Sequence, residues 1–262
     1  MKILTIGDIY GEPGRKAVEL VVGSLKRAGE VDFVVANAEN SADGAGITER
    51  VAKDLFNAGC DVLCGGDHFF DKRKEIENFA KTEKRILRPA NFPKAVFGRG
   101  SCIVECKGIK IGVVHVAGQA FMRYHFASPF HAADEELEKI KKEEAKIVIV
   151  DMHAEATSEK VAISWYLDGR VSAVVGTHTH VQTADERVTQ KGTACLTDLG
   201  MTGPYESVIG AVKEPIIERF LTQIPVRKEV AHGDVRLCGA IITVDDRSGR
   251  ALSITRLQQK IS

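Results

Sequence analysis

The sequence has no excess of charge of either sign and few aromatic residues. Its 262 residues include 36 lysines and arginines against 36 aspartates and glutamates, so the formal net charge is zero. Aromatic residues make up 6% of the chain, with a single tryptophan. Proteins that bind long nucleic acids usually combine a basic face with aromatic side chains on which bases stack. We therefore expect a small substrate and no long nucleic acid as a partner.

Long apolar runs and closely paired cysteines are also missing. The longest apolar runs, such as 147–150, are far shorter than the ~20 residues that cross a bilayer. Residues 1–2 lead straight into a strand pattern, with no apolar signal segment before it. The six cysteines form no Cys-x-x-Cys pair, which argues against a zinc knuckle or a thioredoxin-type motif. We expect a cytoplasmic protein with reduced thiols and no membrane partner.

Strand and helix patterns alternate along the chain and predict an α/β fold. Apolar strand patterns at 2–6, 31–38 and 61–64 alternate with helical patterns at 13–28, 48–58 and 72–82, and strand patterns return at 101–105, 109–116, 146–150 and 171–175. Such alternation is typical of parallel strands covered by helices. Thr48 and Asp71 are predicted to cap the second and third helices. No linker stands out, so we predict one domain over residues 1–262, with two sheets face to face and helices outside.

Polar side chains recur where the predicted strands end. They are Asp8 after the first strand, Glu39 and Asn40 after the second, Asp67 and His68 after the third, and His153, His178 and His180 after two later strands. Ligands of α/β proteins bind beyond the carboxyl ends of the strands. Carboxylates and imidazoles together suit Fe, Mn, Zn or Co. The set is too large for one ion and would suit two bridged ions, an arrangement that can clamp a phosphoryl group.

The same residues resemble the calcineurin-like metallophosphoesterases, and more closely their YmdB-like branch. The blocks that carry the resemblance are Gly7-Asp8-Ile9-Tyr10-Gly11, Glu39-Asn40-Ser41, Asp151 to Lys160, Trp165 to Thr183 and Asp198 to Pro204. They extend over almost the whole chain. The resemblance implies a four-layer αββα sandwich, a di-iron or similar dimetal centre with manganese or zinc as alternatives, and hydrolysis of phosphodiesters, typically of 2′,3′-cyclic nucleotides.

The resemblance also implies a role for each residue. Metal 1 would be held by Asp8, Glu39, Asn40 and His180, and metal 2 by Asp67, His153 and His178, with Glu39 bridging the two. His68 would protonate the leaving alkoxide, and a metal-bridging hydroxide would be the nucleophile. Asp151 and Glu155 are expected to orient His153 by hydrogen bonding, without binding a metal themselves. We also expect a homo-oligomer.

One residue departs from the family pattern. The sequence Gly65-Gly66-Asp67-His68 has aspartate where the family has asparagine. Two divalent ions with three carboxylates would sum to +1 instead of +2. We expect Asp67 to retain metal but to change activity, because the more negative centre attracts an anionic substrate less.

Other interpretations remain open at this point. Asp8, Glu39 and His153 could each cap a helix or end a strand without chemistry, and His68 could bind phosphate passively. The same centre could serve a phosphomonoesterase or a nuclease. A metal-binding regulatory scaffold with weak activity is the alternative outside the enzymes, and Asp67 is its main support.

Overall fold

A computed structural model describes residues 1–261. The strands are β1 Lys2–Ile6, β2 Asp8–Ile9, β3 Phe33–Asn37, β4 Val62–Cys64, β5 Ile86–Leu87, β6 Ser101–Cys106, β7 Ile109–Ala117, β8 Ile147–His153, β9 Ala173–Thr177, β10 Arg187–Val188, β11 Ala194–Leu196, β12 Met201–Pro204, β13 Val235–Val244 and β14 Ala251–Lys260. The helices are α1 Gly11–Arg27, α2 Glu49–Asn57, α3 Arg73–Thr82, α4 Pro129–Lys142, α5 Thr157–Tyr166 and α6 Lys213–Thr222.

The two predicted helix caps have different outcomes. The Thr48 side chain accepts a hydrogen bond from the Val51 amide, which confirms it as the cap of α2. Asp71 does not cap α3, whose first residue is Arg73 and whose preceding residue Lys72 offers no side-chain cap. The Asp71 carboxylate instead accepts hydrogen bonds from Arg123, 2.7 and 2.9 Å away. A charged partner competes successfully with the helix amides for this carboxylate.

The strands form two sheets. The first has the order β2-β12-β13-β1-β3-β4-β5, with β14 also paired to β13, and the second has the order β10-β11-β9-β8-β7-β6. Strands β1, β3, β4 and β5 are parallel to one another, as are β7, β8 and β9. Parallel neighbours place their carboxyl ends at one edge of each sheet.

Three apolar cores show how the sheets and helices stack. The core between the sheets contains Phe33 and Val35 from the first and Ile149 and Val175 from the second. A second core lies between the first sheet and helices α1, α2 and α3. The third lies between the second sheet and helices α4 and α5. This order of layers confirms the predicted αββα sandwich.

Several element boundaries differ from the predicted ones. β8 runs to His153, three residues beyond the predicted end, because Met152 and His153 continue the pairing with β7. α4 begins at Pro129, whose fixed φ suits a first helical turn. The Lys107-Gly108 turn joins β6 to β7 with both φ angles positive, as a two-residue hairpin loop requires.

Across residues 1–261, none of the helices combines the length and hydropathy that crossing a membrane requires.

Candidate metal centre

The first sheet brings three carboxylates and one amide to its carboxyl edge. We call Asp8, Glu39, Asn40 and Asp67 the carboxylate half of the site; they follow β1, β3 and β4, and all four are buried. Asn37, the last residue of β3, accepts a hydrogen bond from the Glu39 amide at 3.0 Å and so fixes the turn that carries this carboxylate. The side chains of Asn40 and Glu39 also meet, since Asn40 Nδ2 donates to Glu39 Oε1 at 2.9 Å.

The second sheet brings three imidazoles to the facing edge. We call His153, His178 and His180 the histidine half; His153 ends β8, and the other two follow β9. The chain bends sharply at both later histidines, with φ angles of 103° at His178 and 66° at His180. Positive φ values are uncommon for residues other than glycine and persist where surrounding contacts enforce them.

A buried ion pair enforces the bend between the two histidines. Lys160 Nζ lies 2.6 Å from Asp198 Oδ2, and both residues are buried. The same carboxylate oxygen accepts hydrogen bonds from the Thr179 hydroxyl at 2.7 Å and the Thr179 amide at 3.2 Å. Thr179 stands between His178 and His180, so this pair holds the turn that directs the His178 ring toward Asp67 and the His180 ring toward Asp8.

Hydrogen bonds around His153 orient its ring. The Thr177 hydroxyl donates to Asp151 Oδ1 at 2.7 Å and lies 2.9 Å from His153 Nδ1, and Asn37 Nδ2 lies 3.2 Å from the same nitrogen. His153 Nε2 is thereby directed into the pocket. That nitrogen lies 3.0 Å from Glu39 Oε2 and 3.1 Å from Asp67 Oδ1.

Partners on the outer nitrogen also orient the other two imidazoles. His180 Nδ1 lies 2.9 Å from the Ile209 carbonyl, which can only accept, so Nε2 keeps its lone pair. His178 Nε2 faces Glu155 at 3.2 Å, which leaves Nδ1 unprotonated and only 3.1 Å from His153 Nε2. A proton or a cation between these two nitrogens would relieve the repulsion between their lone pairs. Glu155 thus orients His178, whereas the predicted partner of Glu155 was His153; Asp151 does serve His153, through Thr177.

The candidate ligand atoms form two groups that share one residue. Atoms of Glu39, Asp67, His153 and His178 lie within 4.8 Å of one another, and so do atoms of Asp8, Glu39 and His180. Within residues 1–261, Asp8 Oδ1 is buried and has no hydrogen-bond partner. A buried carboxylate oxygen without a partner is costly unless a cation or a donor compensates it. The donor set of carboxylates and imidazoles therefore fits metal ions of the borderline class.

The pKa shifts of residues in the two halves also favour a positive charge in the pocket. Burial and the neighbouring charge of Glu39 raise the pKa of Asp8 well above its ordinary value. Burial alone would lower the pKa of His153, but the nearby carboxylates, Glu39 foremost, outweigh it and raise that pKa well above the ordinary value. Burial, with the adjacent His153, lowers the pKa of His178 to about 4. The pocket thus favours positive charge between the carboxylates and His153.

His68 lies at the rim of this pocket. Its side chain is 31% exposed, and its backbone amide lies 3.4 Å from Glu39 Oε2. Its Nδ1 is 2.7 Å from Asp71 Oδ2, and Arg123 contacts the same aspartate. A histidine held by a carboxylate through one nitrogen can present the other to a substrate.

A third group of potential ligands lies beneath the centre and has another role. Atoms of Cys64, His115 and Asp151 lie within 4.8 Å of one another and are fully enclosed. His115 Nε2 accepts a hydrogen bond from the Gly66 amide at 3.0 Å. This buried histidine thereby supports the turn that carries Asp67.

Sequence reasoning missed the residues that position the imidazoles. The amide of Asn37 donates to the Thr177 hydroxyl at 3.2 Å, which links the two halves of the site, and Lys160 and Asp198 hold the bend at Thr179. Asn37 precedes Glu39 by two residues and Asp198 stands in a block shared with the family, but neither position in the sequence indicates its partner.

Comparison with known proteins points to one family. A family model described as YmdB-like protein matches residues 4–257. Bacillus subtilis (strain 168) has a protein named 2′,3′-cyclic-nucleotide 2′-phosphodiesterase that is 45% identical over 257 residues, covering 98% of this chain and 96% of that protein.

Solved structures give the same result for the fold. The crystal structure of a hypothetical protein from Thermus thermophilus matches with a TM-score of 0.93 and 40% identity, covering 100% of both chains. A structure described as a novel phosphatase from Mycoplasma pneumoniae matches with a TM-score of 0.90 and 31% identity, covering 99% of this chain and 93% of that one. These matches extend over both halves of the site.

Proposed function

Because this chain belongs to the YmdB-like family, we propose that it is a metal-dependent phosphodiesterase acting on 2′,3′-cyclic nucleotides. The Bacillus subtilis relative bears that activity in its name. The observation that carries the proposal is the meeting of three carboxylates with three imidazoles, whose ligand atoms form two groups that share Glu39. Such a donor set holds metal ions next to the rim residue His68, where a phosphate ester can be bound and protonated.

We assign the ligands to two ions, with Asn40 added to the observed groups from the family resemblance. Asp8, Glu39, Asn40 and His180 would hold one ion, Asp67, His153 and His178 the other, and Glu39 would serve both. Ions bound there would act as Lewis acids toward phosphate oxygens and lower the pKa of bound water. The assignment is supported by the unpartnered Asp8 Oδ1 and by Glu39 being common to both groups.

The side chains of this protein would position and protonate the substrate. An oxygen from water bonds to phosphorus, the P–O2′ bond breaks, the phosphate remains on O3′, and the departing O2′ takes a proton. His68 is the proton donor in this proposal, because it stands at the rim and is oriented by Asp71 at 2.7 Å. Arg123 binds Asp71 in turn. Arg123, Asp71 and His68 thus form a hydrogen-bonded series, and His68 is the member that would reach the leaving oxygen.

Further properties belong to the same proposal. We prefer iron to manganese or zinc, because mixed carboxylate and imidazole ligands suit all three and the family resemblance implies iron. We infer one catalytic domain over residues 1–262 and a homo-oligomer. The free thiols of all six cysteines support a cytoplasmic location.

A substrate panel tests the activity. The wild-type protein should convert a 2′,3′-cyclic nucleotide to the nucleoside 3′-phosphate and should cleave bis(p-nitrophenyl) phosphate faster than the p-nitrophenyl monoester. Replacement of His68 by alanine should lower kcat by about a hundredfold on the nucleotide, the usual size of a general-acid contribution. A faster rate on the monoester would contradict the proposal.

The second candidate is a phosphomonoesterase, since the Mycoplasma pneumoniae structure is described as a phosphatase. The same panel decides between the two. A regulatory scaffold is favoured instead if His68→Ala abolishes turnover while the cellular phenotype of a null strain remains complemented.

A further inference from the structure

The loop 118–126 leaves the second sheet beside the metal centre. It follows β7, whose last residue Ala117 pairs with His153, and the Gly118 amide donates to the His153 carbonyl at 2.9 Å. The loop therefore begins at the carboxyl edge where the imidazoles lie. Any side chain that it projects outward stands near the entrance to the pocket.

The loop is held firmly at both ends. Near its start, the Glu159 carboxylate accepts hydrogen bonds from the amides of Gln119 at 2.9 Å and Ala120 at 3.1 Å. Near its end, the rings of Tyr124 and Phe126 pack against Phe92 with centroids 5.4 and 4.7 Å away. The loop conformation is thus fixed by side chains from other segments of the chain.

The residues that follow Phe121 in this loop contact partners of the site. The Met122 sulfur accepts from the Glu155 amide at 3.3 Å, and the Glu155 carboxylate faces His178. Arg123 binds Asp71, and its Nη1 lies 3.4 Å from His68 Nδ1. Phe121 directly precedes both residues. Met122 connects the loop to Glu155 and so to His178, and Arg123 connects it to Asp71 and His68.

Phe121 itself is held in an unfavourable state. Its φ angle is 61°, in the left-handed region that bulky side chains avoid. Its ring is 90% exposed, whereas Tyr124 and Phe126 of the same loop pack in an aromatic cluster. Backbone strain at an anchored loop beside a functional site supports a role for the residue there, and the exposed ring is available to a ligand.

We propose that Phe121 stacks on the base of the nucleotide and so determines the preference of the site for nucleosides over other cyclic phosphates. This inference rests on the proposed function. The charged phosphate lies among the carboxylates and imidazoles, so the base, attached to the same ribose, extends toward the rim. Proteins commonly hold an unpaired base by stacking it on an exposed aromatic ring, with little dependence on which base it is.

The test compares two cyclic phosphates, only one of which is a nucleotide. 2′,3′-Cyclic AMP carries ribose and a base, and glycerol 1,2-cyclic phosphate has the same five-membered phosphate ring without either. Phe121→Ala should raise KM for the nucleotide roughly tenfold, the effect expected for loss of one base–aromatic stack, and leave kcat unchanged. The kinetic constants for the glycerol ester should equal those of the wild-type protein. Phe121→Tyr keeps the ring and should behave as wild type on both substrates.

Phe220→Ala is the matched control, since Phe220 is a 79% exposed phenylalanine on α6, a helix that contributes no ligand to the site. An unchanged KM of Phe121→Ala for the nucleotide would overturn the inference. Equal losses on both substrates, or a change in oligomeric mass, would also overturn it, because the ring would then support the loop or pack against a second copy. If the wild-type protein hydrolyses neither ester, the proposed function itself fails.

Discussion

The carboxylate half and the histidine half of the site are positioned by different means. The carboxylate half lies on turns of the first sheet whose backbone amides are held by buried side chains, Asn37 at Glu39 and His115 at Gly66. The histidine half depends in addition on partners of the imidazole rings themselves, such as Thr177 at His153, and on the Lys160–Asp198 ion pair.

This difference reflects what each kind of ligand requires. A carboxylate has two equivalent oxygens and binds a cation in many orientations, so a turn of suitable shape is enough. An imidazole must have the correct nitrogen unprotonated and its ring correctly directed, which needs a hydrogen-bond partner on the far nitrogen. Each of the three histidines has such a partner: Thr177, Glu155 or the Ile209 carbonyl.

Removing the residue that belongs to both ligand groups should have the largest effect. Glu39→Gln keeps the shape of the side chain but loses the charge that would serve both ions. We expect phosphodiesterase kcat/KM to fall about a thousandfold, as when a major electrostatic stabiliser of a transition state is removed. Glu49→Gln, in a surface ion pair with Lys53, should have no effect on the rate. Comparable rates for the two variants would show that Glu39 is not shared.

Gly66→Ala should disrupt the carboxylate half through the backbone. A methyl group there would lie 1.8 Å from Glu39 Oε2, and φ is +52°. A shift of about 1 Å at reacting groups can lower activity about a hundredfold. Gly108→Ala is the control, because its φ is +76° but nothing lies within 4 Å of the added carbon. Both variants should lose stability in urea unfolding, and only Gly66→Ala should lose activity; equal activities would contradict this account of the turn.

Thr177→Val should weaken the histidine half by removing the partner of His153 Nδ1. The valine removes the hydroxyl between Asp151 and His153 at nearly constant volume. Loss of such a partner behind a metal ligand typically lowers metal affinity about 10- to 100-fold. Competition with a chromophoric chelator measures this change, and Thr177→Ser should restore most of the affinity. Affinities that are equal in the valine variant and the wild-type protein would refute the role of the hydroxyl.

Asp67→Asn should have the smallest effect, because it changes the charge of the carboxylate half and keeps its shape. It therefore separates the effect of charge from that of geometry in the comparison of the two halves. Asp67 Oδ1 lies 3.1 Å from His153 Nε2, a position that an amide oxygen could also occupy. Removing one negative charge should lower KM for an anionic substrate about fivefold, on the order of 1 kcal/mol, and lower the metal content on purification. If neither the phosphodiesterase rate nor the metal content changes, the charge of Asp67 has no bearing on this site.

The sequence predicted which polar side chains meet better than it predicted their supports. Asp8, Glu39, Asp67 and the histidines could be grouped because each lies at the end of an apolar strand, and parallel strands bring their ends to one edge. The family blocks then made the sandwich predictable, as the two sheets and their helices confirm.

The supports could not be predicted because they join distant parts of the chain. The Asn37–Thr177 contact and the pairing of Met201 with Asp8 have no local signal in the sequence. Asp71 shows the same difficulty: its position favoured a helix cap, but its carboxylate binds Arg123, 52 residues away. Local patterns indicate which groups are available, and tertiary contacts decide which of them meet.

Elemental analysis of protein purified without added metal tests the central claim most directly. If the two halves jointly hold a pair of ions, the wild-type chain should contain two equivalents of transition metal. A chain that contains none and binds none on titration, while it remains folded and hydrolyses phosphodiesters, would contradict the account.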